Sequence, residues 1–245
     1  MSNLSGKTVL VTGANRGIGA ALVHQLLGAG TAKVYAAARN PAALPDFKDA
    51  RVQALQLDIT DDASVAAAAK SAGNIDVLIN NAGVAAAGEA LDSDLSALQR
   101  DMDTNYYGTI RAARAFAPLL PDQTGVIVNV VSVVGLTSAP GMAGYSASKA
   151  ALQSFTQSLR YSLKPRGVAV LGVYPGPIDT DMARDLPWDK ATPESAAKAI
   201  VEGVEAGETH IFPDPTAQSI AQLWLRDGRA LDAALSQRAE ALEEA

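Results

Sequence analysis

The 245-residue sequence predicts an α/β fold: a doubly wound, mostly parallel sheet of about seven strands with helices on both faces. Two observations predict it. Short, almost continuously apolar runs alternate with longer amphipathic stretches, the pattern of strands buried on both faces and joined by helical crossovers. A glycine-rich turn, TGANRGIG at 12–19, joins the first apolar run to the first amphipathic stretch, where such folds receive anions at a helix N-terminus.

Each element follows in order. TVLVTG (8–13) reads as a buried strand, and GIGAALVHQLLGAG (17–30) as a helix with Ile18, Leu22, Leu26 and Leu27 on one face. KVYAAA (33–38) and RVQALQL (51–57) read as the second and third strands. Between them stand Pro41 and Pro45 with weak helical periodicity, so that crossover helix is expected to be short or lost. TDDASVAAAAKSAG (60–73) opens with capping residues and closes at Gly73. IDVLINN (75–81) is the fourth strand, a long helical stretch runs from Leu95 to Leu120, and GVIVNVVS (125–132) is the fifth strand. A helix over 145–164 is stopped by Pro165 and Gly167, followed by the strand GVAVLGVYPG (167–176). A capped helix at 192–207 and a short strand at 209–212 complete the pattern. With no linker or repeat, residues 1–245 are expected to form a single dinucleotide-binding domain that includes the catalytic site and a short substrate loop near 181–195.

Composition narrows the function classes. A net charge of -6 argues against a general nucleic-acid binder, which needs a basic face. The chain has no cysteine, which excludes disulfides, thiolate metal sites and a cysteine nucleophile. The N-terminus lacks the pattern of a secretion signal and no apolar run is long enough to span a membrane, so a cytoplasmic protein is expected. The two histidines, His24 and His210, have no carboxylate or histidine neighbour at ligand spacing, and no metal site is expected.

In the turn, Gly13 permits the sharp bend, Gly17 lets backbone approach a pyrophosphate, and Gly19 lets helix pack on strand. Tyr145 and Lys149 stand four residues apart on a helix, hence on one face. An ammonium beside a phenol favours the phenolate, so the Tyr145 pKa is expected to fall toward a working pH, with Tyr145 exchanging a proton with a substrate oxygen. Ser132 ends a strand at the side of the sheet where ligands bind, and its hydroxyl is placed to hydrogen-bond a reacting oxygen.

The T-G-x-x-x-G-x-G spacing, NNAG (80–83), Asn105 in MDTNYYG, Ser132 in NVVSVVG, YSASK (145–149) and YPGPIDTDM (174–182) together resemble the short-chain dehydrogenase/reductase family, in its single-domain Rossmann-fold form. The match runs in family order from Thr12 to Met182. The resemblance implies an NADP-dependent oxidoreductase acting on alcohol and carbonyl groups. Ser132 would polarise the carbonyl, Tyr145 act as general acid in reduction, Lys149 bind the nicotinamide ribose, and Asn105 support a water and a proton relay. It further implies a cofactor site of Gly13, Asn15, Arg16, Gly17, Ile18 and Gly19 in the turn. Asp58 and Ile59 would meet adenine, Asn81, Ala82 and Gly83 the adenosine ribose, and Pro175, Gly176, Ile178 and Thr180 the nicotinamide. Asn80 reads as structural.

NADP(H) is expected over NAD(H). The second strand ends in Ala36, Ala37 and Ala38 with no acid for the ribose hydroxyls, and Arg39 follows. Asp46 and Asp49 lie too far along the connection to substitute. Arg16, just before Gly17, is expected to grip the 2′-phosphate together with Arg39, an arrangement similar to that of NADPH-dependent carbonyl reductases.

The expected reaction is reversible NADPH-dependent reduction of a ketone or aldehyde. Met182, Leu186 and Trp188 would cover a pocket open to apolar substrates, with Val134, Leu136 and Met142 lining it. Two alternatives stand beside this reading: a 3-oxoacyl-carrier reductase, disfavoured by the acidic net charge, and a non-catalytic NADP-binding regulator, which would have no need of the tyrosine–lysine pair retained here. The helices bearing Tyr145 and Asn105 resemble the family's dimer-forming pair, implying a homodimer or homotetramer with no nucleic-acid or membrane partner. The charged tail QRAEALEEA gives no sign of a buried contact.

Overall fold

The computed structural model describes residues 3–184, 186, 188–228 and 231. A seven-stranded, wholly parallel sheet crosses the molecule. Its strands are β1 (Thr8–Thr12), β2 (Lys33–Ala38), β3 (Val52–Gln56), β4 (Val77–Asn80), β5 (Val126–Val130), β6 (Ala169–Val173) and β7 (His210–Ile211). The spatial order is β3-β2-β1-β4-β5-β6-β7. The winding therefore reverses between β1 and β4, and a ligand crevice opens at their carboxyl ends.

Helices cover both faces: α1 (Gly17–Gly28), α2 (Asp62–Ala72), α3 (Leu95–Asp101), α4 (Thr109–Phe116), α5 (Ala143–Leu163), α6 (Pro193–Ala206) and α7 (Pro215–Arg226). Successive strand residues face opposite ways. Val9, Val11 and Ile79 therefore join Leu22 and Leu26 of α1 and Ile200 and Val204 of α6. Leu10, Leu78 and Ile127 join Val65 of α2, Phe116 of α4 and Leu163 of α5. Both sides of the central strands are buried, which explains their uninterrupted apolar character. A smaller cluster of Val131, Val133, Leu152, Tyr174 and Ala217 lies beyond the ends of β5 and β6, with Val134 and Leu136 packed on it. No described helix is long and apolar enough to cross a membrane.

Local chemistry sets the element boundaries. Asp61 caps α2 by accepting bonds from the backbone N–H of Ala63 and Ser64, and Gly73 ends it at φ +63°. Thr192 caps α6 and Gly207 closes it in the left-handed conformation. The crossover between β2 and β3 holds only a 3-10 turn, Pro41–Ala43.

Two features differ from the sequence expectation. The stretch read as one helix from Leu95 to Leu120 is α3, a π-helical segment (Met102–Gly108), α4 and a 3-10 turn (Ala117–Leu119). Apolar periodicity does not register one widened turn inside a helix. Helix α7 was not anticipated, although Asp214 as cap followed by Pro215 at the first helical position is the pattern that starts such helices.

Candidate active site

The glycine turn is built on the end of β1. Gly13 has φ +66°, and a Cβ there would lie 2.8 Å from Cα of Ala82. A Cβ on Gly19 would overlap the carbonyl of Gly13, so the helix can only start this close to the strand with glycine present. Arg16 is the extended residue before α1 and puts no side-chain cap on it, leaving the helix N–H groups to face the crevice. Asn15 lies in the turn, and Ile18 packs on the core beneath. The Thr12 hydroxyl accepts bonds from the N–H groups of Asn81 and Ala82, both at 3.0 Å. The Asn81 amide in turn donates to the carbonyls of Thr12 and Gly13 at 2.9 and 3.2 Å. The side chain of Asn81 is thus committed to bracing the turn. Asn80 reaches across the sheet to Asn129 at 2.9 Å, as a structural residue would.

Ser132, Tyr145, Lys149 and Asn105 meet beside this turn. Ser132 lies just past β5; its hydroxyl donates to the Pro175 carbonyl and accepts from the Val134 N–H, both at 3.3 Å. Lys149 is buried on α5 and donates to the Val130 carbonyl at 2.8 Å, with its nitrogen 5.6 Å from the centre of the Tyr145 ring. Asn105 is buried in the π-helical segment. Its amide donates to the Val84 carbonyl at 2.8 Å and to the Ser148 hydroxyl at 2.9 Å, while its oxygen accepts from the Val84 N–H at 2.9 Å. The Ser148 hydroxyl in turn donates to the Tyr145 carbonyl at 2.7 Å. A Cβ on Gly83 would sit 3.0 Å from Oδ1 of Asn105 and 3.6 Å from Nζ of Lys149, so the NNAG loop closes over both residues. π-Helical turns recur at functional sites because they re-aim single side chains, and here the segment carries Asn105.

The electrostatics correct one expectation. Burial pushes the Tyr145 phenol up to about 12, with the Ser132 hydroxyl opposing and the Asp101 carboxylate adding to the rise. Burial also lowers Lys149, to about 8, with the Asp101 carboxylate opposing. Desolvation outweighs the attraction between the two side chains that the sequence suggested.

At the other end of the crevice, Arg39 is exposed just past β2. Burial tends to raise the Asp58 carboxyl, but the hydrogen bonds from Thr60 and the charge of Arg39 outweigh it and hold Asp58 low. Oδ1 of Asp58 accepts from the N–H and hydroxyl of Thr60 at 2.9 and 2.7 Å. Ile59 is buried against Gly108. Arg16 is paired with Asp181 at 2.9 Å, joining the glycine turn to the segment after β6. Thr180 rests against Gly17, where a Cβ would meet its methyl carbon at 2.9 Å. The carbonyl of Pro175 is held by Ser132 and by the Val133 N–H at 3.0 Å, and the Gly176 N–H donates to Asp214 at 2.8 Å. Ile178 is buried, and the backbone bridges from it to Ala191.

Of the apolar residues expected around the substrate, Met182 is exposed, Met142 precedes α5, and Val134 and Leu136 pack on the small cluster beyond β5. Sequence reasoning gave no role to Thr12, Asp101, Ser148 and Asp214, although Thr12 opens the glycine-turn motif, Ser148 stands within YSASK, and Asp214 precedes a proline at a helix start. His24 packs edge-on to Phe47 and His210 stacks on Tyr174, so neither reaches the crevice.

A doubly wound sheet, a glycine turn at its switch point and a Ser–Tyr–Lys group at the strand ends define a dinucleotide-dependent oxidoreductase site. The chain belongs to the short-chain dehydrogenase/reductase family: the family model described as short chain dehydrogenase matches residues 7–191. A short-chain dehydrogenase of Burkholderia cenocepacia, solved in complex with NADP, superposes with a TM-score of 0.90 at 41% identity, covering 96% of this chain and 99% of that one. The 3-oxoacyl-[acyl-carrier-protein] reductase of Escherichia coli is 36% identical over 196 residues, 77% of this chain and 80% of the relative. The NADPH-dependent 1-acyldihydroxyacetone phosphate reductase of Schizosaccharomyces pombe is 38% identical over 180 residues, 71% of this chain and 60% of the relative.

Proposed function

We propose that the protein reduces a ketone or aldehyde to an alcohol, reversibly, with NADPH. The observation that carries this reading is the convergence of Ser132, Tyr145, Lys149 and Asn105 beside the glycine turn. The crevice suits a dinucleotide: its glycines stand where any Cβ would collide, and α1 has no side-chain cap to compete for an anion. NADPH, when bound, supplies the hydride. Arg39, with no acid at the end of β2, favours the phosphorylated ribose, and the NADP complex of the Burkholderia relative supports that choice.

The chain's own residues then handle the oxygen and the proton. Ser132 donates its hydroxyl hydrogen to the carbonyl oxygen, exchanging that bond for its long one to Pro175. Tyr145, with its phenol held near 12, is protonated at neutral pH, the form that a donor to a nascent alkoxide needs. Lys149, whose nitrogen lies 5.6 Å from the centre of the Tyr145 ring, would hold the nicotinamide ribose hydroxyls. Asn105 holds Val84 and Ser148, and through Ser148 the first turn of α5. In the oxidative direction the proton returns from alcohol to tyrosinate.

A 3-oxoacyl thioester is the second substrate class, favoured by the Escherichia coli relative. NADPH oxidation against ketones, aldehydes and acyl thioesters distinguishes the two. Tyr145→Phe is expected to lose turnover by about 10²–10⁴-fold while retaining NADPH binding; substantial residual turnover would refute the assignment. Tyr107 and Tyr161, both exposed, lie on the π-helical segment and α5, and they support self-association through these elements. Sedimentation would report a dimer or tetramer.

A further inference from the structure

The segments that follow β1 and β6 meet across the crevice, although their strands are not neighbours. In the sheet order β4 and β5 stand between them, so β1 and β6 lie three strand spacings apart, about 14 Å. The glycine turn leaves the carboxyl end of β1, and residues 175–180 follow the carboxyl end of β6. Two contacts bring these segments together. A Cβ on Gly17 would meet the methyl carbon of Thr180 at 2.9 Å. Beside it, Nη1 of Arg16 lies 2.9 Å from Oδ2 of Asp181. The other oxygen of Asp181 engages Arg184, so one carboxylate serves two guanidinium groups. The segment is also braced at its base. The Asp179 N–H donates to the Ala191 carbonyl at 2.8 Å, and the Ala191 N–H donates to that of Pro177 at 3.1 Å. The Lys190 ammonium donates to the Arg184 carbonyl at 2.9 Å. Asp181 is thus steadied on its own side and reaches the opposite wall through Arg16.

We propose that Asp181 is a positioning residue for the cofactor: by holding Arg16 it fastens the segment after β6 across the crevice and slows the escape of a bound dinucleotide. Both side chains are exposed, and an exposed ion pair adds little to the stability of a fold. Its consequence lies in its place, because it ties together the two walls, residues 13–19 and 175–180, between which a dinucleotide would lie. The tie is reversible, so a dinucleotide enters and leaves when the pair opens. It acts on the walls rather than on the 2′-phosphate, and so retains NADPH and NADH alike.

The proposal rests on the crevice being a dinucleotide site, and its test has one arm without cofactor and one with it. Without cofactor, hydrogen exchange is followed by NMR at the Ala183 amide, which donates to the Thr180 carbonyl at 3.0 Å. Exchange is expected to quicken by about 2–5-fold in Asp181→Asn and in Arg16→Gln, the range an exposed ion pair commands, with no further gain in the double variant. Asp181→Glu is expected to restore the wild-type rate. Equal rates in the wild type and both single variants overturn the proposal. With cofactor, stopped-flow fluorescence follows the release of NADPH and of NADH. Asp181→Asn is expected to release both about 2–5-fold faster. The difference is expected to vanish in about 1 M NaCl, where charges are screened within about 3 Å. Unchanged release, or faster release of NADPH alone, overturns the proposal and leaves the reductase reading standing. A wild-type protein that binds neither dinucleotide refutes that reading, and the proposal falls with it.

Discussion

Lys149 illustrates how burial competes with pairing at a single residue. Below about 8 both the folded and unfolded chains carry its ammonium, and only the folded state bears the desolvation cost. Between about 8 and 10.5 the unfolded chain holds a proton that the folded chain has released, so stability rises with pH there, by about 3 kcal/mol at most. Lys149→Met removes this linkage. Urea denaturation of both proteins is expected to show the wild type gaining on the variant across that window; a constant difference would refute it. At Arg39 the balance is one of charge. Arg39→Asp is expected to lower kcat/KM with NADPH by about 10–100-fold, the value of a charge-assisted pair, and to raise it with NADH. Equal efficiency with both cofactors in the wild type would dismiss the reading. The two residues also differ in how legible they were. The missing acid after Ala38 marks Arg39 in the sequence alone, whereas the shift at Lys149 depends on neighbours remote in sequence, such as Asp101 and Val130.

At the scale of elements, the cap of α7 doubles as a strut for the segment after β6. One Asp214 oxygen accepts from the Ala217 N–H at 2.9 Å and the other from the Gly176 N–H at 2.8 Å. Asp214→Ala is expected to cost about 1 kcal/mol as a lost cap. It should also raise the KM for NADPH more than it lowers kcat, because Gly176 loses its anchor. Steady-state kinetics beside thermal melts would expose the opposite pattern. Strands and capped helices were readable because each is specified locally, by alternation, a capping side chain or a closing glycine. The π-helical turn at Met102–Gly108 was not, because its causes are tertiary. Gly108 is pressed on Ile59, where a Cβ would lie 2.8 Å from the side chain, and Asn105 is drawn inward to Val84 and Ser148.

For the molecule as a whole, the central strands hold both cores. Leu78 on β4 is fully buried, and Leu78→Ala is expected to cost about 2–5 kcal/mol of unfolding free energy. Leu91 is 96% exposed, and Leu91→Ala should stay within about 0.5 kcal/mol. Equal losses in urea unfolding would contradict the arrangement. The strand sequence alone was enough to expect the doubly wound sheet, because strands buried on both faces must be apolar throughout and parallel neighbours require crossovers. Ser132, Tyr145 and Lys149 were singled out there by their places at a strand end and on one helix face together with the family resemblance of the motifs that carry them. Only the tertiary structure decided how those groups are charged and braced. It brings Asp101 against α5, commits the side chain of Asn81 to the glycine turn, and pairs Arg16 with Asp181. Periodicity reports which face of an element is buried. Desolvation and pairing depend on which distant residues share that burial, and only the folded chain brings them together.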